Sequence, residues 1–362
     1  MNDSIAVPND LAELQAAMAG QTSVLPIGNQ TKTGLSRCQQ TSLISLRGMS
    51  GILEYEPSEF TFTALAGTRV DELNRVLGEQ HQYLPFDPML VDAGATLGGT
   101  VASGLSGPGR FRFGGLRDFL LGIRFVSGDG EVINAGGKVV KNAAGFDIPK
   151  FLVGSLGRYG VMTEMTFKVF PRAAQQTSLT IQCRSIAEAI ERMSLAAASR
   201  WELDAIDYLP EQQSVLIRLS GPEAVNLTLS NEVKRTWGAD VAELDSPDDV
   251  WRSICELNWG GREWPYAAKV PCTPSLLTEL DRWNAEHDDV ALHVSVAGGV
   301  AWVLLDSSSR LNELGAVLRA SLAAGLVVRG ESDVMRIGHW AESEISSAVK
   351  LAMDPHDKFP GF

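Results

Sequence analysis

Short runs of alternating apolar and polar residues recur along the chain, separated by glycine, proline and small polar residues. Between them lie stretches with apolar positions three and four residues apart. Residues 9–19 (Asn-Asp-Leu-Ala-Glu-Leu-Gln-Ala-Ala-Met-Ala) read as a short capped helix. Strands are expected at 23–27, 51–55 and 61–65. Thr68 is placed to cap a helix over 69–79, with Asp71 and Glu72 in its first turn. A hairpin follows at 121–133 with a Gly-Asp-Gly turn, and Asp147 is placed to cap a helix carrying Phe151, Leu152 and Val153. A strand over 161–170 is expected to stop at Pro171.

From about residue 172 the composition shifts. Ala-Ala-Gln-Gln-Thr at 173–177 reads as a linker, and a second strand–helix series begins at 179–183. Helices are expected at 186–198, 223–236 and 309–325, and strands at 213–219, 290–296 and 300–305. No internal repeat or low-complexity segment stands out. A chain of 362 residues exceeds one ordinary core, so two domains are expected, 1–172 and 173–362. Strands alternating with helices make the first half α+β or α/β.

Hydrophobic residues make up 44% and charged residues 21%, the profile of a soluble globular protein. A net charge of −13 argues against a nucleic-acid partner, since a phosphate backbone needs a basic face. Arg110 to Lys150 runs against that balance, with seven basic and four acidic residues. That excess suits either a small anion or a solvated face. Cys38, Cys183, Cys255 and Cys272 form no Cys-x-x-Cys pair, which leaves zinc and iron–sulfur sites unsupported and suits a reducing, cytoplasmic compartment. The N-terminal residues lack the basic and apolar regions of a signal peptide, and no apolar run reaches membrane-spanning length.

The candidate chemistry lies in glycine. Eight glycines fall in the 22 residues from Gly94 to Gly115, and a second cluster holds Gly154, Gly157 and Gly160. Glycine costs entropy on ordering, so such density is expensive unless a backbone must approach something closely. Gly98-Gly99-Thr-Val-Ala-Ser suits the start of a helix packed under a pyrophosphate, or simply tight packing. Gly28-Asn-Gln-Thr-Lys-Thr-Gly34, after a strand, can present successive amides to an anion or form an ordinary turn. It lacks Walker spacing, and no Gly-x-Gly-x-x-Gly with a distal acid supports a Rossmann site. Lys141 and Asn142, in the loop 138–147, are further residues that could face a cofactor or solvent. Of five histidines, His293 sits in a probable strand and is either a base for a hydroxyl proton or a satisfied core residue. Trp259-Gly-Gly-Arg-Glu-Trp264 offers Arg262 to an anion, or forms a surface loop.

The run Ala95-Thr-Leu-Gly-Gly-Thr-Val-Ala-Ser-Gly-Leu-Ser-Gly-Pro, then Arg117-Asp-Phe-Leu-Leu-Gly, then Gly136-Gly-Lys-Val-Val-Lys-Asn-Ala-Ala-Gly-Phe-Asp resembles the vanillyl-alcohol oxidase/p-cresol methylhydroxylase (PCMH) flavoprotein superfamily. Within it, the run is similar to the smaller FAD-binding subunits of bacterial glycolate oxidases. Asp354-Pro-His-Asp-Lys-Phe-Pro-Gly361 is similar to the C-terminal pattern of many members, with Phe359 where an Asn is usual. The resemblance implies an α+β fold: a two-subdomain PCMH-type FAD-binding domain, then an α+β cap domain with an antiparallel sheet, its tail returning to the FAD domain. It implies that Gly28, Asn29, Gln30, Thr31 and Lys32 hold the FAD pyrophosphate. Thr96, Gly98, Gly99, Ser103 and Gly104 would line the cofactor's path, and Gly160 and Val161 would give backbone contacts. No histidine or cysteine stands in either block, so FAD is expected to be non-covalent.

The resemblance further implies a cytoplasmic subunit, or one peripheral at the inner membrane face through partners, namely a larger FAD-binding subunit and an iron–sulfur subunit. The His-rich segment of catalytic hydroxy-acid relatives has only Leu292-His-Val-Ser-Val-Ala-Gly-Gly-Val-Ala-Trp302 as its counterpart here. Two alternatives stay open. One is a self-sufficient FAD-dependent oxidoreductase acting on a small 2-hydroxy acid or an alcohol, with His293, Arg262 and Arg336 as first candidates for base and carboxylate binding. The other is a non-catalytic scaffold that has lost its flavin.

Overall fold

The computed structural model describes residues 5–36, 41–137, 146–332, 334–341 and 343–361. It divides into two compact units. The first comprises Met1–Ser106, Gly115–Pro171 and Ala341–Phe362; the second comprises Gly107–Gly114 and Arg172–Trp340.

In the first unit, α1 (Leu11–Ala19) starts where Asp10 accepts a hydrogen bond from the Glu13 amide at 2.8 Å, and it buries Leu14 and Met18. Strands β1 (Val24–Ile27) and β2 (Ser42–Ser45) pair in parallel. Then come β3 (Ile52–Glu56), β4 (Thr61–Leu65), α2 (Val70–Glu79), β5 (Gln82–Tyr83) and α3 (Leu97–Ser103). The single turn α4 (Arg110–Phe113) belongs to the second unit. The chain returns with β6 (Leu120–Val126), β7 (Val132–Gly136), α5 (Ile148–Leu152), β8 (Val161–Lys168) and β9 (Phe170–Pro171). An antiparallel sheet runs in the order β3-β4-β8-β6-β7. Phe62 stacks on Phe167 at 5.7 Å and Phe86 meets Phe119 at 5.5 Å, so one aromatic cluster seals this sheet's inner face.

Two local expectations fail here. Thr68 does not cap α2, whose N-cap is Arg69. Its buried hydroxyl instead accepts from the Gly51 amide at 2.9 Å and donates to the Gly51 carbonyl at 3.1 Å, where two orphan backbone groups outweigh a solvent-exposed helix end. Pro171 does not end the strand structure but joins β9, which pairs with β5. A two-residue pair tolerates the missing N–H.

The second unit contains β10 (Gln175–Gln182), α6 (Ile186–Ala197), β11 (Ala205–Leu209), β12 (Ser214–Gly221), α7 (Glu223–Trp237) and β13 (Val241–Glu243). After α8 (Pro247–Cys255) the order repeats: β14 (Tyr266–Pro271), α9 (Pro274–Ala285), β15 (Val290–Ser295), β16 (Val300–Leu305), α10 (Ser308–Ala320) and β17 (Ala324–Arg329), with β18 (Arg336–Gly338) added at the edge. Among the described residues the sheet runs β13-β10-β12-β11-β15-β16-β14-β17-β18, antiparallel throughout. Each half is a βαββαβ unit with ferredoxin-like strand order, and the halves join where Tyr208 opposes Val294. The internal repeat absent from the sequence pattern is therefore present in the topology. Leu179, Ile217, Val294 and Val303 on one sheet face pack with Met193, Leu280 and Leu314 from α6, α9 and α10.

Residues 173–177 are not simply a linker, because β10 already begins at Gln175, paired with Gly221. The helix expected over 309–325 ends at Ala320. Leu322 takes a positive φ of 52°, which breaks the helix and releases 324–329 into β17. In the first unit, α11 (Glu344–Met353) leads to a buried Asp354. That carboxylate accepts from Lys350 Nζ at 2.5 Å and from the amides of Lys358 and Phe359 at 2.9 and 2.8 Å.

Candidate functional site

β1 ends at Ile27 and delivers the loop Gly28–Lys32. Gln30 takes a positive φ of 54°, unusual for a side-chain-bearing residue and costly unless the conformation is useful. It turns the backbone so that neighbouring amides point the same way. Among the described residues the amides of Asn29, Gln30 and Thr31 donate to no protein acceptor. Asn29 Nδ2 donates to the Gly94 carbonyl at 2.8 Å, so the first glycine loop is tied to the start of the second. Lys32 is 6% exposed, and its amine reaches Thr31 Oγ1 at 3.3 Å.

α3 begins at Thr96, whose Oγ1 accepts from the Gly99 amide at 3.3 Å. A Cβ on Gly98 would sit 2.9 Å from the Ala66 Cβ, and the Gly98 amide bonds the Ala66 carbonyl at 2.8 Å. Gly98 thus lets α3 lie directly on the segment after β4. Gly104 closes α3 with a φ of +62° against Gly154.

Together these segments enclose an open cleft of about 480 Å³, lined by Gly28, Asn29, Gln30, Thr31, Lys32, Thr96, Gly99 and Ser103 among others. A second cleft of about 330 Å³ shares Gly28, Thr96 and Gly99 and adds Gly98. The tertiary structure therefore unites the two glycine blocks. Gly104, Gly160 and Val161 line neither cleft. Gly160 packs against Phe125, where a Cβ would lie 2.7 Å from the ring, and Val161 is fully buried at the start of β8. Ala102, Leu156 and Gly157 also line the clefts but were not singled out by sequence, since small apolar residues carry no chemical signal. Lys141, Asn142 and Cys38 lie outside the described residues.

The residues present suit a dinucleotide. Free amides, a nearly buried amine and a glycine whose Cβ would fill the cradle together offer donors and positive charge to a pyrophosphate at close range.

The three second-unit candidates have separate settings. His293 is fully buried; its Nε2 lies 2.8 Å from Asp207 Oδ2, its Nδ1 has no partner among the described residues, and its ring is 5.0 Å from that of Trp259. Asp207 also accepts from Ser295 Oγ at 2.9 Å and the Val296 amide at 3.3 Å. Arg262 is exposed, lies 4.0 Å over the Trp264 ring and donates to the Asp288 carbonyl. Arg336 is exposed on β18, 4.7 Å over Trp340. Among the described residues no cluster of His, Cys, Asp and Glu could hold a metal, and no helix is long and apolar enough to cross a membrane.

Comparison with known proteins places this geometry. Residues 3–136 match the FAD binding domain family. Over 213 residues the chain is 34% identical to glycolate oxidase subunit GlcE of Escherichia coli (strain K12), covering 59% of this chain and 60% of that one. Over 223 residues it is 24% identical to glycolate oxidase subunit GlcD of Bacillus subtilis (strain 168), covering 60% and 47%. The matches thus span about half to three-fifths of these relatives' length. Among solved structures, alkyldihydroxyacetonephosphate synthase superposes with a TM-score of 0.71 over 98% of this chain and 76% of that one, at 15% identity, a likeness of fold. Residues 3–136 therefore carry an FAD-binding domain, and FAD is its cofactor.

Proposed function

We propose that this chain is the FAD-binding subunit of a glycolate-oxidase-like complex that oxidises a small 2-hydroxy acid. Its flavin takes part in electron transfer, while the substrate is oxidised on a partner chain. The partners are a larger FAD-binding subunit and an iron–sulfur subunit. Gly28 to Lys32, Thr96, Gly98, Gly99 and Ser103 hold the cofactor without a covalent bond.

One observation carries this reading. The Lys32 amine is the single ionisable side chain among the described residues lining the two clefts. Such a lining can bind an anionic cofactor but supplies neither carboxylate nor imidazole to take a hydroxyl proton. The match to a glycolate oxidase subunit supports the choice of reaction class.

The test is an absorption spectrum of the purified chain before and after acid precipitation, followed by anaerobic mixing with glycolate. The reading expects flavin bands that move to the supernatant, and bleaching only when the partner subunits are added. Rapid bleaching of the isolated chain would refute the division of labour, and a colourless protein would refute the flavin role.

A further inference from the structure

Eight glycines lie between Gly94 and Gly115; of these, Gly98 and Gly99 line the clefts, whereas Gly107, Gly109, Gly114 and Gly115 flank the turn α4 on both sides. The chain passes from the first unit to the second at Ser106–Gly107 and returns at Gly114–Gly115. The neck of this loop is closed within the first unit, where the Leu116 amide donates to Ser106 Oγ at 3.0 Å. Gly114 takes a φ of +85°, which glycine adopts without strain.

The tip of the loop is anchored within the second unit. Phe111 packs against that unit's core. Arg112 reaches three oxygens at once: Nη1 donates to the Glu202 carbonyl at 2.8 Å and to Asp204 Oδ1 at 2.9 Å, and Nη2 donates to Glu202 Oε2 at 3.0 Å. The Asp204 side chain is 2% exposed, so the pair is shielded from the solvent that weakens surface ion pairs. Glu202 holds a φ of +49°, costly for a side-chain-bearing residue, and presents both its carbonyl and its carboxylate to the one guanidinium. At the other end of the loop stands α3, whose Gly98, Gly99, Ala102 and Ser103 line the clefts. Gly104 is held against Gly154, and Leu105 and Ser106 are buried, so the chain runs packed from α3 to the neck.

We propose that residues 107–114 form a strap that couples FAD occupancy in the first unit to the docking of Arg112 on Glu202 and Asp204 in the second. Arg112 is a positioning residue, acting through the strap and α3. A cofactor that fixes α3 fixes the neck and favours the docked tip; by linkage, the docked tip favours the cofactor to the same degree. The proposal rests on FAD lying in the clefts beside α3, and not on the reaction or the partners.

All eight tryptophans, from Trp201 to Trp340, belong to the second unit, so their emission reports that unit while flavin absorbance reports the cofactor. Urea unfolding of the full-length chain, followed by tryptophan emission with and without saturating FAD, tests the strap. FAD is expected to raise the wild-type midpoint and to leave it unmoved in Arg112→Met and in Asp204→Asn. FAD affinity should fall about tenfold in each variant and no further in the double variant, with Arg112→Lys between. Each variant is compared with itself without FAD, so a general loss of stability does not imitate the effect. A wild-type chain that takes up flavin without a change in its tryptophan midpoint, a shift retained in both variants, or wild-type FAD affinity in both would overturn the strap alone. A wild-type chain that takes up no flavin would overturn the strap and the flavin reading together.

Discussion

Gly28 and Thr96 stand face to face: a Cβ built on Gly28 would fall 2.1 Å from Thr96 Oγ1. The same oxygen accepts from the Gly99 amide, so a side chain on Gly28 displaces both the cleft wall and the cap of α3. Gly28→Ala should therefore purify with flavin occupancy reduced roughly tenfold or more, by absorbance per mole of protein. Adding Thr96→Ala removes the clashing oxygen at a cost of about 1 kcal/mol for the cap, and should restore part of the occupancy. Full flavin in the single variant would show that these residues do not contact the cofactor.

Among the described residues lining that cleft, Lys32 carries the charge. Lys32→Met should keep the fold but weaken FAD binding by about tenfold to hundredfold, the worth of a hydrogen bond to a charged group. Fluorescence titration of the apo-protein measures this, and Lys32→Arg should lose less.

The C-terminal segment is locked by Asp354. Its carboxylate takes hydrogen bonds from Lys350, Lys358 and Phe359, and Lys350 Nζ also donates to the carbonyls of Arg158 and Phe359 at 3.0 and 2.7 Å. Asp354→Ala leaves a buried ammonium without its anion, so it should destabilise the first unit by about 3–5 kcal/mol in urea denaturation. Limited proteolysis should then cut first near residue 354.

Asp207 and His293 join the two halves of the second unit across β11 and β15. Asp207→Ala leaves His293, Ser295 and the Val296 amide without an acceptor, whereas His293→Phe leaves Asp207 two of its three partners. Asp207→Ala should cost roughly 3–5 kcal/mol and His293→Phe clearly less, as read from thermal and denaturant midpoints. The reverse order would mean that the imidazole, not the carboxylate, organises the seam.

Lys269 adds a pH dependence of known sign. Its pKa of about 8 in the folded protein lies below the ordinary value of 10.5. Between these values the unfolded chain holds a proton that the folded chain has lost, so this group raises stability as pH climbs from about 8 to 10.5. Below 8 the buried ammonium opposes folding in full. Lys269→Met should raise the melting temperature at pH 7 by a few degrees, on the order of 1 kcal/mol, and flatten the slope above pH 8.

Legibility followed locality. The expected helix at 9–19 appears as Leu11–Ala19 with its Asp10 cap, and the helices at 186–198 and 223–236 appear as Ile186–Ala197 and Glu223–Trp237. Strand β11 was missed because Ala205–Leu209 is buried at all five positions and shows no alternation. β14 was missed as well; in Tyr266–Pro271 a lysine and small residues stand in an interior strand, a pattern set by its neighbours rather than by its own sequence. Asp207 was overlooked for the same reason, since nothing in Ala-Ile-Asp-Tyr-Leu announces a partner 86 residues away.

By itself the amino-acid sequence determined where backbone could be bared. The glycine blocks depend only on residue type and spacing, and the family resemblance they carry, with no histidine or cysteine in them, implied a non-covalently held flavin. Tertiary structure alone decided that Gly28 would face Thr96, that His293 would be buried against Asp207, and that Lys269 would stand beside Trp302. Those pairings join segments far apart in the chain, and only strand register and packing bring them together.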